Sequence, residues 1–357
     1  MKLIAILLAG LLSALSGCAS VQPGNAALSE DDESNLFKLP TFERYGSLVV
    51  PAGTEAKPVN MRLWYSAPDQ ITPDTPVVMV MHGGRRDADQ YRDYWGTYAR
   101  KYGALIVSPE ISRKDFPTGW GYQAGNWVTP DSSSTDATKG QRVPVEETSF
   151  AALERAFDQL KERFDLNADT YDIWGHGSGA QFVSRMVMLY PQARIGTAIA
   201  ANAGTYTFPD WTLPLRYGLK NTGVQPEDLK DAYQHHLVIM LGTEDNDTSH
   251  RLLSQLDIAK AQGEHRVAKG RNFFQANKAQ AEKLNTPYNW ELQTVYGIGH
   301  SGRRMSKAGA EYLLEGKTER PLFTNDMEVN EPYRRSGKPG KTNELLKGSD
   351  DGEASPF

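Results

Sequence analysis

The stretch Tyr171-Asp172-Ile173-Trp174-Gly175-His176-Gly177-Ser178-Gly179 decides the fold of this 357-residue chain. Its first residues read as a buried strand, and the glycines at every second position predict a sharp turn. The residues that follow, Ala180-Gln181-Phe182-Val183-Ser184-Arg185-Met186, read as a helix. Strand, tight turn and helix in immediate succession set the rhythm against which the rest of the chain is read.

Outward from that stretch, strand patterns alternate with helix patterns, which is the signature of an α/β sheet. On the N-terminal side, Val77-Val78-Met79-Val80-Met81 is a continuous apolar run ending in His82-Gly83-Gly84, as expected of a strand buried on both faces. Gly46–Val50 and Met61–Tyr65 read as an initial antiparallel pair, and Ala104–Val107 as a further buried strand. Phe150, Leu153, Phe157, Leu160 and Phe164 fall at helical spacing. On the C-terminal side, Ile195–Ala200, Leu237–Leu241 and Trp290–Tyr296 supply three more strands, and a closing helix contains Ala308, Tyr312 and Leu313. The expected fold class is α/β, with a mostly parallel central sheet and helices on both faces. Ligands of such sheets bind at the carboxyl ends of the strands.

The ends differ from this core. Lys2, the apolar run Leu3 to Leu15 and the small-residue site Leu15-Ser16-Gly17-Cys18 predict a signal peptide over residues 1–17. The run is shorter than the roughly 20 residues that a membrane-spanning helix needs. The arrangement resembles the lipobox of bacterial lipoproteins. That resemblance implies acylation of Cys18, a lipid bilayer as partner, and a place in the bacterial cell envelope. Ala19 after the cysteine favours the outer membrane, with the domain facing the periplasm or the exterior. Cys18 is the only cysteine, so disulfides and thiolate metal sites are excluded. Residues 18–45 read as a polar tether, 46–318 as the folded domain, and 319–357 as a polar, partly disordered tail. With 44 acidic against 39 basic residues, a net charge of −5 argues against nucleic acid as a partner.

Three motifs follow strands and so lie on the carboxyl edge. Leu241-Gly242-Thr243-Glu244-Asp245 offers an acid, Gly297-Ile298-Gly299-His300 a base, and His82-Gly83-Gly84 backbone donors for an oxyanion. With Gly175-His176-Gly177-Ser178-Gly179-Ala180-Gln181-Phe182, these pieces resemble the α/β-hydrolase superfamily. They look closest to secreted esterases of the polyhydroxybutyrate-depolymerase and feruloyl-esterase type. The resemblance runs from about Gly46 to Gly316. It implies a serine hydrolase acting on small-molecule or polymeric carboxylic esters without a cofactor. Asp245 becomes the acid, His300 the base and Gly84 an oxyanion donor. The family's nucleophile, the serine of G-x-S-x-G, falls on Gly177.

Two registers of the turn are open. In one, the pattern slips by a residue and Ser178 attacks, with Gly83, Gly84 and Gly179 supplying backbone donors. His176 then occupies a position where the tight turn wants a small residue. In the other, Gly177 holds the turn, since glycine accepts its dihedrals without steric cost. The elbow then lacks its hydroxyl and Ser178 begins the helix. The first register gives a membrane-anchored serine hydrolase, the second a hydrolase-like lipoprotein that binds a ligand or partner. A third possibility is a water activated by His300 and Asp245.

The remaining candidates carry bland readings beside functional ones. Asp245 can cap the following helix, with Asp247 as substitute acid. His300 can be a plain loop histidine, and His82 and His176 packing residues. Trp120, Tyr122 and Trp127 can wall a substrate pocket or pin their loop to the core, and His176 is a further candidate for that pocket beside its packing reading. Arg85 and Arg86 read as solvated. His235 and His236, adjacent on a strand, point to opposite faces, and no metal site is expected.

Overall fold

The computed structural model describes residues 44–129 and 140–315. The expected signal peptide, Cys18, nearly all of the tether and the tail beyond residue 315 lie outside the described residues. The central sheet has eight strands: β1 (Tyr45–Pro51), β2 (Asn60–Ser66), β3 (Val77–Met81), β4 (Leu105–Glu110), β5 (Tyr171–His176), β6 (Ile195–Ala201), β7 (His236–Gly242) and β8 (Glu291–Val295). Their order across the sheet is β1-β2-β4-β3-β5-β6-β7-β8. β2 runs antiparallel to both β1 and β4, and every other pairing is parallel. Five main helices pack on it: α1 (Ala88–Tyr102), α2 (Ser149–Phe164), α3 (Ser178–Leu189), α4 (Arg266–Lys283) and α5 (Gly302–Leu314).

Successive side chains of a strand point to opposite faces, and the core divides accordingly. Val77, Met79 and Met81 join Ile173, Leu237, Ile239 and Leu241 in one apolar layer, filled by Phe150, Leu153 and Phe157 of α2, Phe182 and Val183 of α3, and Phe273 and Phe274 of α4. Val78 and Val80 join Trp174, Ile199, Val238 and Met240 in the other, filled by Tyr91 and Trp95 of α1 and Met305 and Tyr312 of α5. A strand covered on both sides has no solvated face, which is why these strands read as unbroken apolar runs. α2 starts at Thr148, whose hydroxyl accepts from the Ala151 N–H at 3.1 Å. That cap satisfies one of the N–H groups a helix start leaves over.

The expected strands and helices that fall on described residues are present, with boundaries moved by up to three residues. Trp290 precedes β8 and is buried at 1% exposure. His235 lies just before β7 and bonds the Pro191 carbonyl, whereas His236 pairs with Glu291 at 2.8 Å. The two imidazoles therefore serve different neighbours. Among the described residues, no group of three or more His, Cys, Asp or Glu side chains could hold a metal ion.

Candidate active site at the carboxyl edge

The outer glycines of the decisive stretch are fixed by contact distances. A Cβ on Gly175 would stand 2.3 Å from the Gly179 carbonyl carbon, and one on Gly179 would stand 2.6 Å from the Met81 carbonyl oxygen. The end of β5, the start of α3 and the end of β3 thus meet backbone to backbone. Between them Gly177 adopts φ 56° and ψ −109°, a conformation that strains any residue with a side chain. Glycine takes the turn, and the second of the two registers is the one observed. Ser178 is already the first residue of α3, 3% exposed, and its Oγ accepts a hydrogen bond from Gln123 Nε2 at 2.7 Å. With the turn at residue 177, the first helical N–H past it belongs to Ser178. Gly179, the donor expected if Ser178 attacked, lies one position further on.

Asp245 and His300 meet as their motifs imply. His300 Nδ1 donates to Asp245 Oδ2 at 2.8 Å, which leaves Nε2 as the basic nitrogen of the ring. The second carboxylate oxygen accepts from Arg266 Nη1 at 3.1 Å, and both partners of that ion pair are 2% exposed. Burial alone would raise the Asp245 carboxyl, but the His300 bond and the charges of His300 and Arg266 outweigh it and hold it at about 2. Asp245 is therefore a carboxylate at any pH where the fold is of interest. Asp247 is exposed and accepts from Ser249, so it has no part in the pair. Asn202, at the end of β6, fastens the two loops: its Oδ1 accepts from the Gly242 N–H at 2.8 Å, and its Nδ2 donates to the Gly299 carbonyl at 3.3 Å. His176 is fully buried, with its ring 4.4 Å from that of His300. It packs against the base rather than lining a pocket.

The His82-Gly83-Gly84 turn is held by its carbonyls. The Ile111 N–H donates to His82 Nε2 at 3.1 Å, so Nδ1 carries the proton and donates to the Gly83 carbonyl at 2.8 Å. The Gly84 carbonyl accepts from Arg113 Nη2 at 2.9 Å. In a trans peptide the N–H points away from the preceding carbonyl, so anchoring the Gly83 carbonyl also fixes the direction of the Gly84 N–H. Burial, reinforced by Arg86, lowers His82 to about 3, and the ring stays neutral. The unfolded chain takes up this proton below the ordinary value of 6.5, so stability is complete above that pH and falls as pH drops from there toward 3. The expected loss from His82 is about 1.4 kcal/mol per pH unit in that window. Urea midpoints at pH 7 and pH 5 should differ clearly, and less so for His82→Gln; equal differences in the two proteins would remove His82 as the cause.

Tyr122 and Trp127 follow the second of their two readings, and Arg86 departs from its expected one. Tyr122 and Trp127 are buried at 1% and 3% exposure. Tyr122 bonds the His82 carbonyl and Trp127 Nε1 donates to the Thr222 carbonyl at 2.9 Å, so both rings pin the loop to the core. Trp120 remains partly exposed, with the Arg216 guanidinium 5.5 Å from its ring. Arg85 is exposed, but Arg86 is not solvated. It donates to the carbonyls of Ile111, Phe116 and Thr118 and lies over the Tyr122 ring. A loop rich in glycine leaves carbonyls without ladder partners, and a guanidinium with five donors collects them.

Residues without a sequence signal complete the neighbourhood. Gln123, which holds Ser178, receives a bond from Arg216 Nη2 at 3.1 Å. Arg185, fully buried on α3, donates to the carbonyls of Gln123 and Arg216 and to Thr205 and Thr207. A charged residue inside the apolar run Phe182 to Leu189 was the one hint that something polar had to be met there.

A sheet in this order, a glycine-cornered turn after β5 and an Asp–His pair after β7 and β8 define a hydrolase of the α/β type. No family model matches the chain, and no curated protein does. Among solved structures, poly(aspartic acid) hydrolase-1 from Sphingomonas sp. KT-1 is 38% identical, covers 76% of this chain and 98% of its own, and superposes with a TM-score of 0.69. LpqC, a poly(3-hydroxybutyrate) depolymerase from Bordetella parapertussis, is 29% identical over 76% of this chain and 89% of its own, also at 0.69. The chain belongs to the α/β-hydrolase family.

Proposed function

We propose that this α/β-hydrolase cleaves carboxylic-acid derivatives, esters foremost, by general-base attack of water rather than through a seryl intermediate. His300 is the base, Asp245 orients it and carries the compensating charge, and the backbone N–H groups of Gly84 and Ser178 are the oxyanion donors. The observation that carries this reading is the elbow itself: Gly177 has the strained turn, while Ser178 Oγ is engaged by Gln123. His300 takes a proton from water as the water oxygen bonds to the acyl carbon. The tetrahedral intermediate collapses, and His300 returns the proton to the leaving oxygen. A positioned general base supplies about 10²–10⁴-fold, so turnover is expected to be slow. Support for esters comes from one relative, a poly(3-hydroxybutyrate) depolymerase, and support for the wider class of carboxylic-acid derivatives from the other, a hydrolase of poly(aspartic acid), whose backbone is an amide.

Hydrolysis of 4-nitrophenyl acetate by the wild type, Ser178→Ala and His300→Ala tests this. Turnover retained in Ser178→Ala and lost in His300→Ala is the expected result. Loss in Ser178→Ala would sink the water mechanism and install Ser178 as nucleophile after release from Gln123. The bare glycine at the elbow also favours a second reading, a scaffold that binds a ligand without turning it over. A wild type as inert as His300→Ala would select it.

A further inference from the structure

We propose that the site beside Gly177 takes a substrate carrying a carboxylate, and that Arg216 is the side chain that contacts it. The inference rests on reading the Gly177 edge as the substrate site. Arg185, Arg216, Arg266 and Lys269 belong to its surroundings, and of these Arg266 is paired with an acid, Asp245. Arg185 and Lys269 are fully buried and Arg266 is 2% exposed, whereas Asp245 is the carboxylate among them. The hydrogen bonds of Arg185 and Lys269 go to neutral oxygens: Thr205, Thr207, Gln181 and the carbonyls of Gln123 and Arg216 for the first, the Gly204 carbonyl for the second. Buried cations without a counter-charge are costly, and an anion placed beside them recovers part of that cost. Burial and the neighbouring cation lower both groups, Arg185 to about 9 and Lys269 to about 8.

Arg216 is the member of this group that a ligand can reach. It is partly exposed, and its backbone is held at φ 83°, a region that residues with side chains rarely enter. Such strain is kept where the surroundings hold a side chain for use. Nη2 bonds Gln123, which bonds Ser178, so the guanidinium stands one side chain from the elbow. Its Nε is buried without a hydrogen-bond partner, so the partial exposure of the residue lies in its other atoms, and a guanidinium makes charge-assisted hydrogen bonds to a carboxylate. A Cβ on Gly204 would stand 3.6 Å from Gln181 Nε2 and 4.0 Å from Arg266 Nε, so two donors lie beside that glycine. A neutral polyester offers this group nothing, whereas an acidic acyl chain offers a carboxylate beside the reacting carbonyl.

Calorimetric titration separates the two. The full chain carrying His300→Ala, which prevents consumption of ligand, is titrated with an N-acetylated aspartate tetramer and with a 3-hydroxybutyrate tetramer methylated at its carboxyl end. The aspartate tetramer should bind at least ten-fold more tightly, and the margin should shrink as salt rises, because screening weakens contacts between partly exposed charges. Arg216→Gln should lower that affinity by about ten-fold or more, Arg216→Lys by less, and Arg62→Gln, on exposed β2 surface, not at all. Equal affinity for the two tetramers, no binding of the aspartate tetramer, or an unchanged affinity in Arg216→Gln overturns the proposal. Should Arg216→Gln not fold, the comparison of tetramers and the Arg216→Lys variant decide alone. Because the readout is binding, a wild type without turnover would refute the water mechanism and leave this inference standing.

Discussion

Serine in place of Gly177 is expected to raise ester turnover by about 10²-fold or more while making the protein less stable. Removing members of a Ser-His-Asp unit leaves only a residual acceleration of about 10³–10⁴ over water, supplied by donors and binding. Restoring the missing hydroxyl beside an intact Asp245–His300 pair should recover part of the difference. The stability change has the opposite sign for a separate reason. Gly177 sits at φ 56°, and a residue with a Cβ held in such a sparsely populated conformation costs roughly 1–3 kcal/mol. The measurements are kcat on 4-nitrophenyl acetate, labelling of residue 177 by a fluorophosphonate, and the melting temperature. A Gly177→Ser protein that melts lower, yet is neither labelled nor faster, would show that His300 and the donors are not aligned on this turn.

Asp245→Asn should abolish measurable turnover and destabilise the fold, in the wild type and in Gly177→Ser alike. An amide in that place can hold the wrong tautomer of the base, and in Ser-His-Asp enzymes that single change lowers turnover by about 10⁴-fold. Its second effect falls on Arg266. The pair is 2% exposed on both sides, so neutralising Asp245 leaves a buried guanidinium without its counter-charge. Breaking a buried pair from one side costs about 3–5 kcal/mol. Asp247→Asn, on an exposed turn, is the control and should alter neither kcat nor the urea midpoint by a comparable amount. If Asp245→Asn proved as stable as that control, the carboxylate would not be the anchor of Arg266.

The sheet was legible because burial on both faces writes itself as unbroken apolar runs, as in Val77 to Met81 and Leu237 to Leu241. Asp245 and His300 were legible for a related reason: each follows such a run within a few residues, so its place on the carboxyl edge is set by the strand. The turn residue was less so. Choosing between Gly177 and Ser178 depends on which glycines face backbone at contact distance, and no local pattern reports that. Of the arginine network only Arg185, a charge inside an apolar run, left a sign in the sequence, and its partners left none. Gln123 meets Ser178 from 55 residues away, and Arg185 meets the Arg216 carbonyl from 31. Such contacts join irregular loops whose paths carry no period. Arg86 illustrates the same gap, since its partners are backbone carbonyls that exist as unmet acceptors only once the loop has been drawn.

The close approach of Gly175, Gly179 and the Met81 carbonyl has one more consequence. These three backbone segments meet too closely to admit a Cβ at either outer glycine, and none of that contact involves a side chain at position 177. The frame around the corner is therefore set without reference to a side chain at that position. A glycine there spares the turn its strain, and the pair of Asp245 and His300 keeps its geometry whichever residue stands at the corner.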